Sequence, residues 1–402
     1  MNSTPLSNRF YIGIFGKCNS GKSSLINAIT NQQIATISNK KGTTTDPVFK
    51  AMEIPKIGPC VFVDTPGFDD TEENLGEKRT RKSHEILEYV NAAIFVLEKP
   101  DVIDKKEKEF LEKIKQKEIP LILVINKKDI DSDKKLNFKF LENYIFVEVS
   151  AKTKENINSL IDLISKNFNE EETNKNMISD LINPLDVVVL VIVIDESSPK
   201  DRLILPQQQL IYEILKKGGI CYVVKNTEYE EFLKNLNIKP KLIVIDSQIF
   251  SKIFKTIDDD IPITSFSILL ARKKGILDYA IKGVKMLEKL KNKDKILIVE
   301  SCTHKKKSCD ITCVKIPRWI LEYTKKEIEF EFKTGDDFPS ENELKKYRLV
   351  IHCGGCMTTA KKIQNKFKIC LKQNVAATNH GILIAYLNGV LEKSISFFKW
   401  YY

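Results

Sequence analysis

Five cysteines and two histidines in the last third of the sequence have the spacing of metal ligands. In His352-Cys353-Gly354-Gly355-Cys356, three donors follow directly on the apolar run Leu349 to Ile351, and two glycines let the backbone fold around a bound group. Cys302-Thr303-His304 is a matching half-site upstream, again just past an apolar run, Ile296 to Val299. Cys302, His304, Cys353 and Cys356 would make a four-ligand zinc site of mixed type. Three thiolates with one replaceable fourth ligand, His304 or His352, suit a 4Fe-4S cluster equally well. Ligand count leaves both open, and Cys309 or Cys313 could replace His304; otherwise these two are free thiols near the lysine-rich stretch Lys305 to Lys307. Cys18, Cys60, Cys221 and Cys370 stand alone and read as small core or loop residues. His84 and His380 read as structural. Nine cysteines is an odd number, and Met1 to Asn8 is polar and unlike a signal peptide. Metal or redox use is therefore favoured over a disulfide framework.

A second constellation handles phosphate. Gly16-Lys17-Cys18-Asn19-Ser20-Gly21-Lys22-Ser23 lies between an apolar strand (Phe10 to Phe15) and a helix (Ser24 to Thr30), the context a P-loop requires. Gly16, Asn19, Ser20, Gly21 and Ser24 belong to a cradle in which backbone N–H groups and the helix start receive phosphates. Lys22 reaches the terminal phosphates and Ser23 ligates Mg2+. Gly42-Thr43-Thr44-Thr45-Asp46 reads as switch I, with Thr44 the second magnesium ligand. Strand Val61 to Val63 leads into Asp64-Thr65-Pro66-Gly67, where Asp64 holds magnesium through water and the Gly67 N–H senses the γ-phosphate. Asn126-Lys127-Lys128-Asp129 follows strand Leu121 to Ile125, and its aspartate accepts from N1 and N2 of guanine; adenine offers no such pair of donors. Ser150-Ala151-Lys152 is the last base-contacting loop. Lys22, Thr44, Asp64 and Gly67 are the expected catalytic set of a GTPase. Phe68 follows Gly67 where Ras-like enzymes keep a water-orienting glutamine, so intrinsic hydrolysis should be slow. Asn19 with Thr43-Thr44 resembles the TrmE–Era GTPases, several of which hold K+ partly through that asparagine; otherwise Asn19 only caps the loop.

The elements that must position these groups fill 402 residues, 42% of them hydrophobic, enough for several packed cores. Strand–helix alternation argues for an α/β protein of three domains: a P-loop GTPase fold over 1–170, a structural or dimer-forming domain over 177–268, which the resemblance named below makes a dimerisation domain, and the metal-bearing domain over 269–402. The middle stretch reads as Val187 to Ile194, Ile220 to Val224 and Leu242 to Ile245 as strands, with helices between and Ser247 capping the next. It carries no phosphate loop or nucleophile–base pair. Gln207 to Gln209 could pair across an interface or cap the helix beginning at Pro206. The net charge is +10, but the lysines are scattered among glutamates and read as solvated faces, with no DNA-binding signature. The longest apolar run, Val187 to Ile194, is too short to span a membrane, so a cytoplasmic protein is expected.

Taken together, the P-loop, Arg202-Leu203-Ile204-Leu205-Pro206-Gln207-Gln208-Gln209, Cys302-x-His304, Val314-Lys315-Ile316-Pro317-Arg318 and His352-Cys353-x-x-Cys356 resemble the HydF family of FeFe-hydrogenase maturation GTPases. The resemblance covers essentially the whole chain. It implies a 4Fe-4S cluster on Cys302, Cys353 and Cys356, with His304 or His352 as candidate fourth ligand. It also implies a dimer or tetramer that receives a transient di-iron precursor made by radical-SAM maturases and delivers it to the FeFe-hydrogenase. The competing expectation is an Era-like RNA- or ribosome-associated GTPase with a zinc module.

Overall fold

The computed structural model describes residues 5–31, 48–67, 82–98, 103–130, 138–168, 176–194, 202–254, 256–257, 260–301, 311–335 and 337–401. The chain divides into two compact units, 1–173 and 174–402.

The first unit is built on a six-stranded sheet. Its strands are β1 (Phe10–Gly16), β2 (Val48–Ile54), β3 (Gly58–Asp64), β4 (Ala92–Leu97), β5 (Leu121–Ile125) and β6 (Ile145–Glu148), in the order β2-β3-β1-β4-β5-β6. Only the β2–β3 pair is antiparallel. Side chains alternate across a strand, so β1 feeds two cores: Phe10, Ile12 and Ile14 face one, Tyr11 and Phe15 the other. Helices Lys22–Thr30 and Ile157–Asn167 cover the first face through Leu25, Ile26, Leu160 and Ile164. Helix Lys105–Gln116 covers the second through Phe110, Leu111 and Ile114. It starts in a reciprocal cap: the Glu107 N–H donates to Asp104 and the Asp104 N–H to Glu107, at 2.9 and 3.0 Å.

The second unit holds two four-stranded parallel sheets over one continuous apolar cluster. The first contains β7 (Val187–Ile192), β8 (Ile220–Lys225), β9 (Leu242–Ile245) and β10 (Ile263–Ser265), ordered β10-β9-β7-β8. The second contains β11 (Lys295–Glu300), β12 (Glu329–Thr334), β13 (Leu349–His352) and β14 (Ala376–Asn379), ordered β12-β11-β13-β14. The glutamine block closes its own helix, Leu205–Lys216: Gln207 Oε1 accepts the Ile204 N–H and Gln208 Nε2 donates to Leu203 O. Past β9 the cap is Asp246 rather than the expected Ser247, because Asp246 is extended and its carboxylate accepts the Gln248 N–H at 3.1 Å. A 3-10 turn and the short helix Phe250–Ile253 come next. Among the described residues no helix is long and apolar enough to cross a membrane.

Helix Leu277–Val284 lies directly on β14. Thr378 Oγ1 donates to Ala280 O at 2.9 Å, and a Cβ on Gly283 would stand 1.9 Å from Ala377 O. No side chain fits there without moving helix or strand. Gly283→Ala should destabilise this sheet by about 3 kcal/mol, the upper end of ordinary overpacking costs. A urea unfolding midpoint equal to that of the parent chain would contradict this contact.

Candidate functional site

In the first unit the chemistry gathers beyond the carboxyl ends of β1, β3 and β5, where ligands of open parallel sheets bind. The P-loop leaves β1 and enters helix Lys22–Thr30 through Gly21, whose φ is +88° and whose Cβ, if present, would be 2.2 Å from Asn126 Nδ2. Glycine is needed there for both reasons. Asn126 bridges two loops: its Nδ2 donates to Ser20 O and its Oδ1 accepts the Ala151 N–H, each at 3.1 Å. Ser150 Oγ donates to Asp129 Oδ1 at 2.7 Å and holds that carboxyl below the usual carboxylate range. Gly21, Ser24, Asn126, Lys127, Asp129 and Lys152 line a cavity of about 540 Å³.

At the phosphate end, Lys22 is buried, and its Nζ donates to Gly16 O and Lys17 O at 3.0 and 2.6 Å. Ser23 Oγ donates to Asp64 Oδ2 at 2.5 Å. Burial pushes the Asp64 carboxyl up; Ser23, Lys22 and Lys50 pull it back only in part. Its Oδ1 is buried with no hydrogen-bond partner among the described residues. A buried orphan oxygen beside a hydroxyl is a donor set that suits a hard divalent cation. Gly67 is pressed against the P-loop, and a Cβ there would lie 2.5 Å from the Cys18 N. Asn19 is exposed on the loop with φ +61°. Thr44 and the rest of 42–46, and Phe68, lie outside the described residues.

In the second unit, β11 and β13 are parallel neighbours with Val299 opposite His352. The end of β13 therefore stands beside the residues that lead into Cys302. Cys302, His304 and Cys309 lie outside the described residues, and Cys313 falls in the helical turn Ile311–Lys315. Among the described residues no group of three or more His, Cys, Asp or Glu is placed to hold a metal ion. In the part that is described, Cys353 is tied to the end of β11 through both backbone and sulfur. The Cys353 N–H donates to Val299 O at 2.8 Å, and the Ser301 N–H donates to Cys353 Sγ at 3.1 Å. Burial raises the Cys353 thiol pKa, and N–H groups of Ser301 and Gly355 work against that rise. Cys356 is half-buried and Met357 beside it exposed, so this side opens to solvent.

His352 is buried and held neutral, its pKa lowered to about 3 by burial and by the nearby cations Lys366 and Lys274. Its Nδ1 lies 2.8 Å from Cys353 O, an acceptor, so Nδ1 carries the proton. Its Nε2 then accepts, facing Lys366 Nζ at 3.3 Å and Ser301 Oγ at 3.4 Å. Lys366 itself is buried, 5.3 Å over the Phe338 ring. His380, read as structural from the sequence, follows β14 at this same edge, one residue past Asn379, which pairs with His352. Lys274, Lys366 and Ser301 carry no motif, and only the fold brings them here.

Three family models match the chain. Residues 11–127 match a family described as a 50S ribosome-binding GTPase, residues 177–275 the hydrogen maturase F dimerization domain, and residues 278–397 the hydrogen maturase F tetramerization domain. The chain is 32% identical over 168 residues to GTPase Era of Clostridium acetobutylicum, a match spanning 40% of this chain and 56% of that relative. Aquifex aeolicus Era bound to GDP·AlF4− is similar at 22% identity and a TM-score of 0.34, over 54% of this chain and 92% of that one. The G domain of the FeoB iron transporter of T. maritima is similar at 21% identity and a TM-score of 0.31, over 39% and 98% of the two chains.

The raised Asp64 pKa has a definite sign. A carboxyl whose folded pKa lies above its unfolded one costs stability as pH rises through the folded value. Asp64→Asn should therefore raise the thermal midpoint of the nucleotide-free protein at pH 7. The gain should vanish below about pH 4, where the carboxyl is protonated in both states. A midpoint lowered at pH 7 would contradict the assignment.

Proposed function

The chain belongs to the hydrogen maturase F family, and from that premise we propose that it is a slow GTPase and cluster-bearing scaffold that carries a di-iron precursor to an FeFe-hydrogenase. The observation that carries this reading is the joining, on one chain, of a GTPase domain to both hydrogen maturase F segments. Their names support self-association, as a dimer or a tetramer. Radical-SAM maturases would be the source of the precursor.

In the GTPase domain, Asp129 reads guanine, Ser150, Ala151 and Lys152 close over the base, and the P-loop amides with Lys22 neutralise the phosphates. Ser23, Thr44 and Asp64 would hold magnesium, Asn19 a potassium ion, and the Gly67 N–H would report the γ-phosphate. Water attacks the γ-phosphorus and GDP leaves; Phe68, the residue after Gly67, has no hydrogen-bonding group with which to orient that water. GTP thus acts as a state marker, shifting an equilibrium through its different affinities for two conformations.

In the second unit Cys302, Cys353 and Cys356 would hold the 4Fe-4S cluster. The fit is supported by the N–H donors on Cys353 Sγ, which stabilise a thiolate. A cluster held by three thiolates supplies an iron whose fourth position can exchange, which is what docking and release of a precursor needs. His352, with Nε2 turned to Lys366, suits a supporting place better than that fourth position.

Anaerobic reconstitution of the full chain should give about four irons per chain and broad absorbance near about 400 nm. Cys353→Ser and Cys356→Ser should each lose most of that iron. A colourless protein with one zinc and salt-sensitive RNA affinity would sink this reading in favour of an Era-like RNA-binding GTPase. Separately, Asp129→Asn should weaken GTP binding by on the order of a hundredfold, since two donors on the base lose a charged acceptor. Unchanged affinity in a fluorescent-nucleotide titration would remove Asp129 from the base site.

A further inference from the structure

Helix Phe266–Lys273 ends in a capped turn whose geometry fixes one lysine. The Gly275 N–H donates to Arg272 O and the Ile276 N–H to Ala271 O, at 2.9 and 3.0 Å, with Gly275 at φ +67°. This is the paired closure of a Schellman motif, and Lys274 is its C-cap residue. Two further ties hold the turn. Gln364 Nε2 donates to Lys274 O at 2.9 Å, and the Arg272 guanidinium forks onto Asp180 while also donating to Asn176 O and Met177 O. From that anchored position the Lys274 side chain runs inward, only 5% exposed, and its Nζ donates to Gly355 O and Thr358 O. Those carbonyls belong to the loop that carries Cys353 and Cys356. The same helix lays Leu270 alongside Gly354, where a Cβ would stand 3.5 Å from Leu270 Cδ2. Lys274 lies within the stretch matched to the dimerization segment, and the loop within the stretch matched to the tetramerization segment.

We propose that Lys274 is a positioning residue that clamps the Cys353–Cys356 loop in its metal-binding shape and couples that loop to the last helix of the dimerization segment. A charged donor on two carbonyls of a loop with a left-handed glycine, Gly355 at φ +62°, fixes backbone that two glycines would otherwise leave loose. Gly355 is held on its other side too, since a Cβ there would lie 2.8 Å from Ile363 Cδ1. The assignment rests on reading this loop as a metal-binding loop.

The test uses the full chain as parent, Lys274→Met and Lys274→Arg. In metal-free protein, iodoacetamide labelling followed peptide by peptide should be about tenfold faster at Cys353 and Cys356 in Lys274→Met, with Lys274→Arg close to the parent. Cys370, buried in the same unit, serves as the internal control and should stay unlabelled in all three. In iron-reconstituted protein, an iron chelator should strip Lys274→Met about tenfold faster. Labelling rates at Cys353 and Cys356 equal to the parent would overturn the clamp. So would an equal rise at Cys370, which marks general unfolding. If the parent retains no iron while the labelling contrast persists, the cluster reading fails and the clamp stands.

Discussion

Parallel strand pairing is the constraint on which both candidate sites depend. A parallel ladder sends every strand of a sheet the same way, so the loops after the carboxyl ends collect on one edge. In the first unit that edge brings together the P-loop after β1, Asp64 at the end of β3, and Asn126 to Asp129 after β5. In the second it sets Cys353 beside the chain leaving β11, with His380 one strand further on. The residues are far apart in sequence, and nothing local could assemble them.

That constraint also explains what can be read without a structure and what cannot. The strands that matter for chemistry announce themselves, because short apolar runs end in motif residues: Phe10 to Phe15 before the P-loop, Leu121 to Ile125 before Asn126, Leu349 to Ile351 before His352. Strands without a motif are quieter. β12 alternates Glu-Phe-Glu-Phe at a sheet edge, β10 is three residues long, and β14 begins with two alanines. Strand order is likewise absent from the pattern, which is why His380 reads as structural in sequence while standing next to β13 in space. Lys274 and Lys366 are hidden for a different reason. In a chain with 64 lysines and arginines, two buried ones look like all the others until tertiary packing withdraws them from water.

The second site carries an electrostatic tension of its own. Burial favours the neutral thiol at Cys353, whereas metal ligation needs the thiolate. Hydrogen bonds from Ser301 and Gly355 oppose that burial cost without adding a titrating acid. Burial first, and then the cations Lys366 and Lys274, keep His352 neutral, so its single ring proton is committed to Cys353 O and its other nitrogen to an acceptor's role. Histidine, lysine and backbone thus form a hydrogen-bonded frame around the end of β13 and the loop that follows it.

Asn126 has a different consequence, for how this pocket could change over generations. Both ends of its amide are engaged, one on the phosphate cradle at Ser20 and the other on the loop at Ala151. Any substitution there loosens two loops at once, whatever it does to the base. Asp129, by contrast, is held by Ser150 and stands clear of the cradle's own hydrogen bonds. On the role proposed for Asp129, drift in nucleotide preference through the aspartate disturbs the Ser150 hydrogen bond and not the cradle, while the asparagine is locked by its neighbours before any nucleotide arrives.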